Sequence, residues 1–465
     1  MGSWVDHVMW WHVYPLGFVG APVRPEPATE VAAGHTAPAE DAHAPEAEGV
    51  EHRLGRIEAW LDHVVELGLN GLALGPVFAA TSHGYDTVDH FRIDPRLGDD
   101  ADFDRLVAAA HERGIRVLLD GVFNHVGRAH PAFATVEETG PDAATADLFR
   151  IDWAGWRPGD PVRAEVFEGH DQLVALDHSA PAVADLVAEV MTYWLDRGAD
   201  GWRLDAAYAV PPAFWAEVLP RVREAHPDAW FTGEVIHGDA LAIVAESGLD
   251  SLTQYELWQG IWHGLADTNL FETKHAIERG NELLERFVPT TFVGNHDVTR
   301  IASAIPDAQH LPHALALLFT LAGTPMVYAG DEYGLRAVKE ERLGGDDAVR
   351  PEFPPVPPAP DELPAALPGA GPDARELLAL HGELIALRRQ RPWLHSARSD
   401  VLHLTNTALV VRTATGSGTI VTALNLADEP VELPIADATE LLAGTASLAG
   451  AQATLPAHAW AVLSA

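Results

Sequence analysis

The segment Ile115-Arg-Val-Leu-Leu-Asp-Gly-Val-Phe-Asn-His125 decides the fold. Its apolar run reads as a buried strand, and the run leads into an acid and an imidazole rather than a simple turn. The pattern recurs in Gly201-Trp-Arg-Leu-Asp205, Trp230-Phe-Thr-Gly-Glu234 and Thr291-Phe-Val-Gly-Asn-His-Asp297. With the plainer runs included, strands are expected over Val8–Phe18, Leu69–Val77, Ile115–Phe123, Gly201–Ala206, Trp230–Val235, Leu252–Tyr255, Thr291–Val293 and Pro325–Tyr328. Amphipathic helices are expected between them, as over Arg56–Leu67, Phe103–Arg113, Ala182–Arg197 and Pro212–Ala225. Eight alternating units predict an α/β fold closed as a (β/α)8 barrel, whose C-terminal strand ends share one rim.

Three stretches break this rhythm. Ala21 to Gly49 is rich in Ala, Pro, Glu and His and is expected to be a long loop, of no assigned role. Val126 to Ala180 separates the third strand from its helix and predicts a short inserted subdomain. Glu352 to Pro372 is rich in Pro and Ala and reads as an irregular loop. After a helix over Ala374–Gln390, short alternating strands are expected over Val401–Leu404, Leu409–Arg412, Thr419–Leu424, Val431–Leu433 and Trp460–Leu463. The expected plan is a catalytic barrel over 1–390, containing the insertion 126–180, and a C-terminal antiparallel β-sandwich domain over 391–465.

Composition narrows the function. The 465 residues carry 30 basic and 68 acidic side chains, a net charge of −38. Such a surface repels nucleic acid and anionic membranes, so neither is an expected partner. Cysteine is absent, which excludes disulfides, thiolate nucleophiles and Cys-ligated zinc. The first residues lack the basic and apolar regions of a signal peptide, and Leu311 to Gly330 reads as a buried helix followed by a strand rather than a membrane span. A cytoplasmic location is therefore expected. Oligomeric state is not legible.

Carboxylates at neighbouring barrel strand ends can approach within the roughly 5–5.5 Å that retaining glycosidases use. Asp205 and Glu234 follow adjacent strands. Arg203 lies two residues before Asp205 and faces the same way, so it should keep Asp205 ionised. Glu234 has no basic residue close in sequence and sits with Asp205 and Asp297, which should raise its pKa. These residue types suggest Asp205 as nucleophile and Glu234 as acid/base. Singly, each feature has a plainer reading: a strand-end Asp often caps a helix, and an Asn-His pair often makes structural hydrogen bonds. Metal ligation by His125, His296 and Asp297 is conceivable, but their spacing does not demand it. Joint occurrence at successive strand ends decides for chemistry.

These motifs resemble those of the α-amylase family of glycoside hydrolases (glycoside hydrolase family 13). The four signature regions resemble residues 120–125, 201–207, 233–235 and 292–297. Flanking similarities are His83-Gly-Tyr85-Asp-Thr before Ile93-Asp-Pro-Arg-Leu-Gly98, Leu173–His178 at the end of the insertion, and Gly323-Thr-Pro-Met-Val-Tyr-Ala-Gly-Asp-Glu332. The resemblance implies Asp205 as nucleophile, Glu234 as acid/base and Asp297 as transition-state stabiliser. It implies that Tyr85 stacks on the reacting sugar, that His125, Arg203 and His296 hydrogen-bond it, and that Asp120 supports the site. No catalytic cofactor is implied. Asn124 matches an asparagine that holds a structural calcium in many members; otherwise it braces its loop by a hydrogen bond.

Departures from the family pattern bear on specificity. Secreted α-amylases carry Lys-His after the nucleophile, where this chain has Tyr208-Ala209. Glu234-Val-Ile-His237 resembles a Glu-Ile/Val-Trp-His motif of cyclomaltodextrinase and neopullulanase relatives, with Ile236 in place of the aromatic platform. The run Gly344-Gly-Asp-Asp347, followed by Arg350-Pro351, resembles the same branch, but that branch's N-terminal β domain does not precede the first strand. Ser82 stands where α-glucosidases often keep an Asp. Tyr208, His237 and Arg350 are thus expected to contact substrate. The resemblance implies a retaining hydrolase of short α-glucosidic oligosaccharides, whose linkage and exo or endo mode stay open. A transglycosidase using a sugar acceptor is the alternative, and a non-catalytic binding module a remoter one.

Overall fold

The computed structural model describes residues 4–23, 49–342, 344–359 and 361–464. The loop expected over 21–49 thus falls, for residues 24–48, outside the described residues. Eight parallel strands build the central sheet: β1 (Trp10–Val13), β2 (Gly71–Leu74), β3 (Arg116–Gly121), β4 (Gly201–Leu204), β5 (Trp230–Gly233), β6 (Ser251–Leu252), β7 (Thr290–Phe292) and β8 (Thr324–Tyr328). Their spatial order runs β6-β5-β4-β3-β2-β1-β8-β7. A parallel bridge between Thr253 and Thr290 joins the two ends, and Gln254 N–H donates to the Thr290 carbonyl at 2.9 Å. The sheet therefore closes as the barrel that the eight repeats predict.

Strand alternation divides the side chains into two sets. Trp10, Ala73, Leu118, Trp230, Phe292 and Met326 form a buried cluster inside the barrel, separate from the main core. Trp10 stacks on Trp230 with ring centroids 5.7 Å apart. Gly71 allows this, since a Cβ there would sit 2.3 Å from the Trp10 ring. Trp11 and Trp202, on the opposite faces of their strands, join the core between sheet and helices.

Local chemistry fixes the helices. Asp99 caps the helix Asp100–Glu112 by accepting from Asp102 N–H at 3.0 Å, while the Asp102 carboxylate accepts from Asp99 N–H. Pro181 and Pro212 open the helices Pro181–Asp196 and Pro212–Ala225 in their first turns. The first strand ends earlier than expected, because Pro15 starts the helical turn Pro15–Phe18. The helix expected over Arg56–Leu67 is two pieces, Leu54–Glu58 and Leu61–Leu67. The sixth strand is also shorter than its apolar run, since Tyr255 begins the helix Tyr255–Ala266.

The insertion after β3 contains the antiparallel pair His125–Gly127 and Leu173–Ala175 and the helix Pro131–Thr139. Beyond the helix Ala374–Arg389, five antiparallel strands form one sheet and three a second. Val410, Val421 and Leu463 of the first sheet share a buried cluster with Leu433, Ala453 and Leu455 of the second. Three of these strands, Glu440–Gly444, Ser447–Ala449 and Gln452–Leu455, were not expected from the sequence. Among the described residues no helix is long and apolar enough to cross a membrane.

Buried polar contacts tie this sandwich to the barrel layer. The Asn281 amide accepts from Ser399 N–H at 2.9 Å and donates to the Ser399 carbonyl at 2.6 Å. Asn281→Ala would leave both backbone groups without these partners in a buried seam. The expected cost is about 2–4 kcal/mol of unfolding free energy in urea titrations. A loss below about 0.5 kcal/mol would show that the seam carries no such load.

Candidate active site

Strand register brings the acids together before any loop contributes. Asp120 of β3 pairs with Arg203 of β4, which pairs with Thr232 of β5. Two residues further along, Asp205 N–H donates to the Gly121 carbonyl at 3.0 Å and Glu234 N–H to the Leu204 carbonyl at 2.8 Å. Asp120 and Arg203 therefore share one level of the inner barrel face, and Asp205 and Glu234 stand one step above it. A close approach between β4 and β5 requires Gly201, where a Cβ would lie 2.2 Å from the Trp230 carbonyl oxygen.

Arg203 is the centre of this group. Its Nη1 donates to both Asp120 carboxylate oxygens at 2.7 Å and to Asp205 Oδ1 at 3.1 Å. Its Nη2 lies 2.7 Å from Glu234 Oε1. Glu234 also accepts from Tyr255 O–H at 3.0 Å and from Ala206 N–H at 3.1 Å. Asn295 Nδ2 donates to the Tyr255 oxygen at 2.9 Å, which leaves the phenol proton for Glu234. Ala206 holds a left-handed conformation, φ 46°, at the turn that supplies its N–H.

Asp297 approaches from β7. Its N–H donates to Asn295 Oδ1 at 2.9 Å. Arg350 Nη2 donates to Asp297 Oδ1 at 2.7 Å and also pairs with Asp346 at 2.9 Å. His296 Nε2 lies 3.1 Å from the other Asp297 oxygen. The Asp297 side chain keeps 31% of its surface exposed, whereas Asp205 and Glu234 keep 10% and 7%. Asp120, Arg203, Glu234 and His296 line a hollow shared with Leu118 and Phe292 of the barrel interior.

The remaining expected residues surround this hollow. Tyr85 sits on the loop of a hairpin formed by Phe78–Ala80 and Thr87–Ile93. Its ring lies parallel to His296 with centroids 5.6 Å apart, and its hydroxyl bonds Asp120 and His296. His125 has both ring nitrogens engaged inside the protein, Nε2 with the Tyr85 carbonyl at 3.0 Å and Nδ1 with Asn124 Nδ2 at 3.1 Å. The Asn124 amide nitrogen is thereby used as a brace. Tyr208 donates to Glu168 Oε1 at 2.9 Å and packs on His237 at 4.7 Å. His237 and Ile236 are exposed beside it. Tyr255, Phe167 and Glu168 were not expected from the sequence. Tyr255 stood at the end of an expected strand, but nothing local tied it to Glu234. Phe167, stacked on His125 at 4.8 Å, comes from the insertion and has no motif.

The expected pull of Arg203 on Asp205 is present but is outweighed by burial. Burial pushes its carboxyl well above the usual range; Arg203 opposes this, and Glu234, Asp120 and Asp297 add to it. Burial likewise raises Asp120 to about 6 against the pull of Arg203. One guanidinium thus offsets only part of the burial that disfavours charge on Asp120 and Asp205. Burial keeps His12 near 3, with Arg203 adding to the effect, and burial also holds His296 far below its usual value, so both imidazoles are neutral.

Residues 53–353 match the family described as Alpha amylase, catalytic domain, and residues 396–463 match a domain of unknown function, DUF3459. A cyclomaltodextrinase of Bacillus sp is 32% identical over 344 residues, which are 72% of this chain and 60% of that protein. An intracellular maltogenic amylase of Bacillus subtilis is 28% identical over 342 residues, 72% of this chain and 56% of that one. The chain thus matches little more than half the length of these relatives. A cyclic α-maltosyl-(1→6)-maltose hydrolase from Arthrobacter globiformis superposes with a TM-score of 0.78 at 26% identity, covering 100% of both chains.

The raised Asp120 carboxyl sets a pH dependence. Its folded value, about 6, lies above the unfolded value of 3.8, so the folded state binds the extra proton between them. Stability from this group is present below pH ~4 and is lost as pH rises through ~6. Relative to Asp120→Asn, wild type should lose roughly 2 kcal/mol of unfolding free energy between pH 4 and 6. Parallel curves for the two proteins in pH-resolved urea titrations would refute the assignment.

Proposed function

The chain belongs to the α-amylase family, and from that membership we propose that it is a retaining α-glycoside hydrolase acting on short α-linked oligosaccharides. The observation that carries this reading is the guanidinium of Arg203 holding Asp120, Asp205 and Glu234 at one rim, with Asp297 beside them. The same reading makes residues 1–390, including the inserted 126–180, the catalytic barrel and 391–465 the C-terminal β domain. A cytoplasmic location and small-sugar partners accord with the printed names of the relatives.

In the proposed double displacement, Asp205 in its ionised form attacks the anomeric carbon as the glycosidic bond breaks. Glu234 gives its proton to the departing oxygen. Glu234 then takes a proton from water, which attacks the same carbon and releases Asp205. The first step needs one proton at these acids. Sugar binding is proposed to place it on Glu234, leaving Asp205 as an anion against Arg203. Asp297, oriented by Arg350 and His296, would accept hydrogen bonds from the distorted sugar. Tyr85, braced by His296, would face its ring. Arg203 and His296 would bond its hydroxyls; His125 would serve chiefly by fixing the Tyr85 loop.

Substrate length follows from the rim. The Tyr208–Glu168 bond ties the inserted subdomain to the loop after β4, and His237 packs beside it. We assign this clasp to the leaving-group side, where it suits a short chain better than a polymer. Water is the proposed acceptor, in keeping with hydrolases among the similar proteins.

Anomeric analysis with azide tests the roles. Asp205→Asn should retain less than about 1% of wild-type turnover on an activated aryl α-glucoside. Azide should rescue it by direct displacement, yielding the β-glycosyl azide. Glu234→Ala should instead yield the α-glycosyl azide through the covalent intermediate. Exchange of the two products would reverse the assignments. Turnover of Asp205→Asn above about 1% without azide would remove Asp205 as nucleophile.

A further inference from the structure

A second cluster of titratable groups lies where the barrel layer meets the C-terminal sheets. Asp307 and His310 stand just before the buried helix Leu311–Thr320. His458 stands just before the last strand, Trp460–Ser464. One ligand-capable atom from each of Asp307, His310 and His458 lies within 4.8 Å of the others. We propose that these three residues form a binding site for a divalent transition-metal ion such as zinc, which clamps the C-terminal domain to the barrel.

The donor geometry supports an ion. His310 Nε2 and His458 Nδ1 face each other at 3.1 Å. Tetrahedral zinc with Zn–N bonds of 2.0–2.1 Å needs an N···N edge of about 3.3 Å. Asp307 Oδ2 lies 4.0 Å from His310 Nε2, and the side chain is 42% exposed, so a shift of under about 1 Å completes a third ligand position. Its other oxygen, Oδ1, accepts from Gln309 N–H at 2.9 Å, which keeps the carboxylate at the site. Three protein ligands leave a fourth position for water.

The surroundings of His458 add an independent argument. Its Nε2 lies 2.9 Å from Asp428 Oδ1, so the ring donates there and turns the Nδ1 lone pair toward His310. A carboxylate behind the imidazole is the arrangement that fixes tautomer and raises basicity in metal-bound histidines. A simple imidazole–imidazole hydrogen bond would account for the 3.1 Å contact alone. It would not by itself bring a carboxylate to each side of the imidazole pair, Asp307 by His310 and Asp428 by His458.

Zinc retention by the full chain, without an affinity tag, tests the site. Protein stripped with chelator is equilibrated with zinc, dialysed and assayed for bound metal. Wild type should retain one more zinc per chain than His458→Gln, and zinc should raise its thermal midpoint by several degrees. His458→Gln should fold, by circular dichroism, with a midpoint insensitive to zinc. Asp307→Asn keeps the cap to Gln309 yet should weaken zinc binding at least about tenfold. Equal zinc retention by wild type and His458→Gln, or no retention by wild type, would overturn the site. A zinc-independent midpoint in wild type would do the same.

Discussion

One guanidinium against three buried carboxyls is the constraint on which the rest of the site depends. Arg203 is shared among them: Nη1 serves Asp120 and Asp205, and Nη2 serves Glu234. Burial of the acids raises the cost of their charge, and the same burial strengthens their attraction to Arg203. Its own proton is secure, because burial is outweighed by Asp120, Glu234 and their neighbours. A lysine could not take this place, since a single ammonium lacks the planar fork that reaches three partners at once. Removal of the guanidinium would leave the acids to repel each other or to protonate, and either outcome disorders the rim.

The barrel makes this arrangement possible by register. Asp120 and Arg203 are paired residues on adjacent strands, and Asp205 and Glu234 each continue the ladder by two residues. The floor beneath them is made of large rings, Trp10 stacked on Trp230, with Phe292 and Met326 alongside. Ala73, Leu118, Phe292 and Met326 of this floor also line a cavity that reaches up to Asp120, Arg203 and Glu234. Rigid strands thus set the acids, while loops set the rim, the division of labour expected of this architecture.

Much of this was legible because strand alternation is a strict rule. Once 115–119 and 201–204 are read as parallel neighbours, Arg203 and Asp205 must share a face. The charge state was not legible. The sequence placed Arg203 beside Asp205 and implied an ionised acid, but the protonation depends on how many carboxyls share the cation and how dry the space is. Those are properties of the closed barrel. Glu168 escaped for a related reason: it meets Tyr208 across 40 residues of chain, on an insertion with no periodicity. The three unexpected strands of the C-terminal domain are short and rich in Ala, Gly, Ser and Thr, so their apolar alternation is faint.

The rim also shows how a loop can control an acid it does not contain. Asp297 comes from the end of β7, yet one of its oxygens is held by Arg350 from the segment after β8, and Arg350 is in turn held by Asp346. The same guanidinium lies over the Tyr14 ring at 4.6 Å, and Tyr14 donates to the His83 carbonyl on the loop that carries Tyr85. Asp297 and Tyr85, proposed for two sides of one sugar, are therefore mechanically linked through Arg350 and Tyr14. A change in the loop after β8 would reach both. Specificity in this chain then rests on a connected ring of loop residues, above a layer of acids whose positions the strands have already fixed.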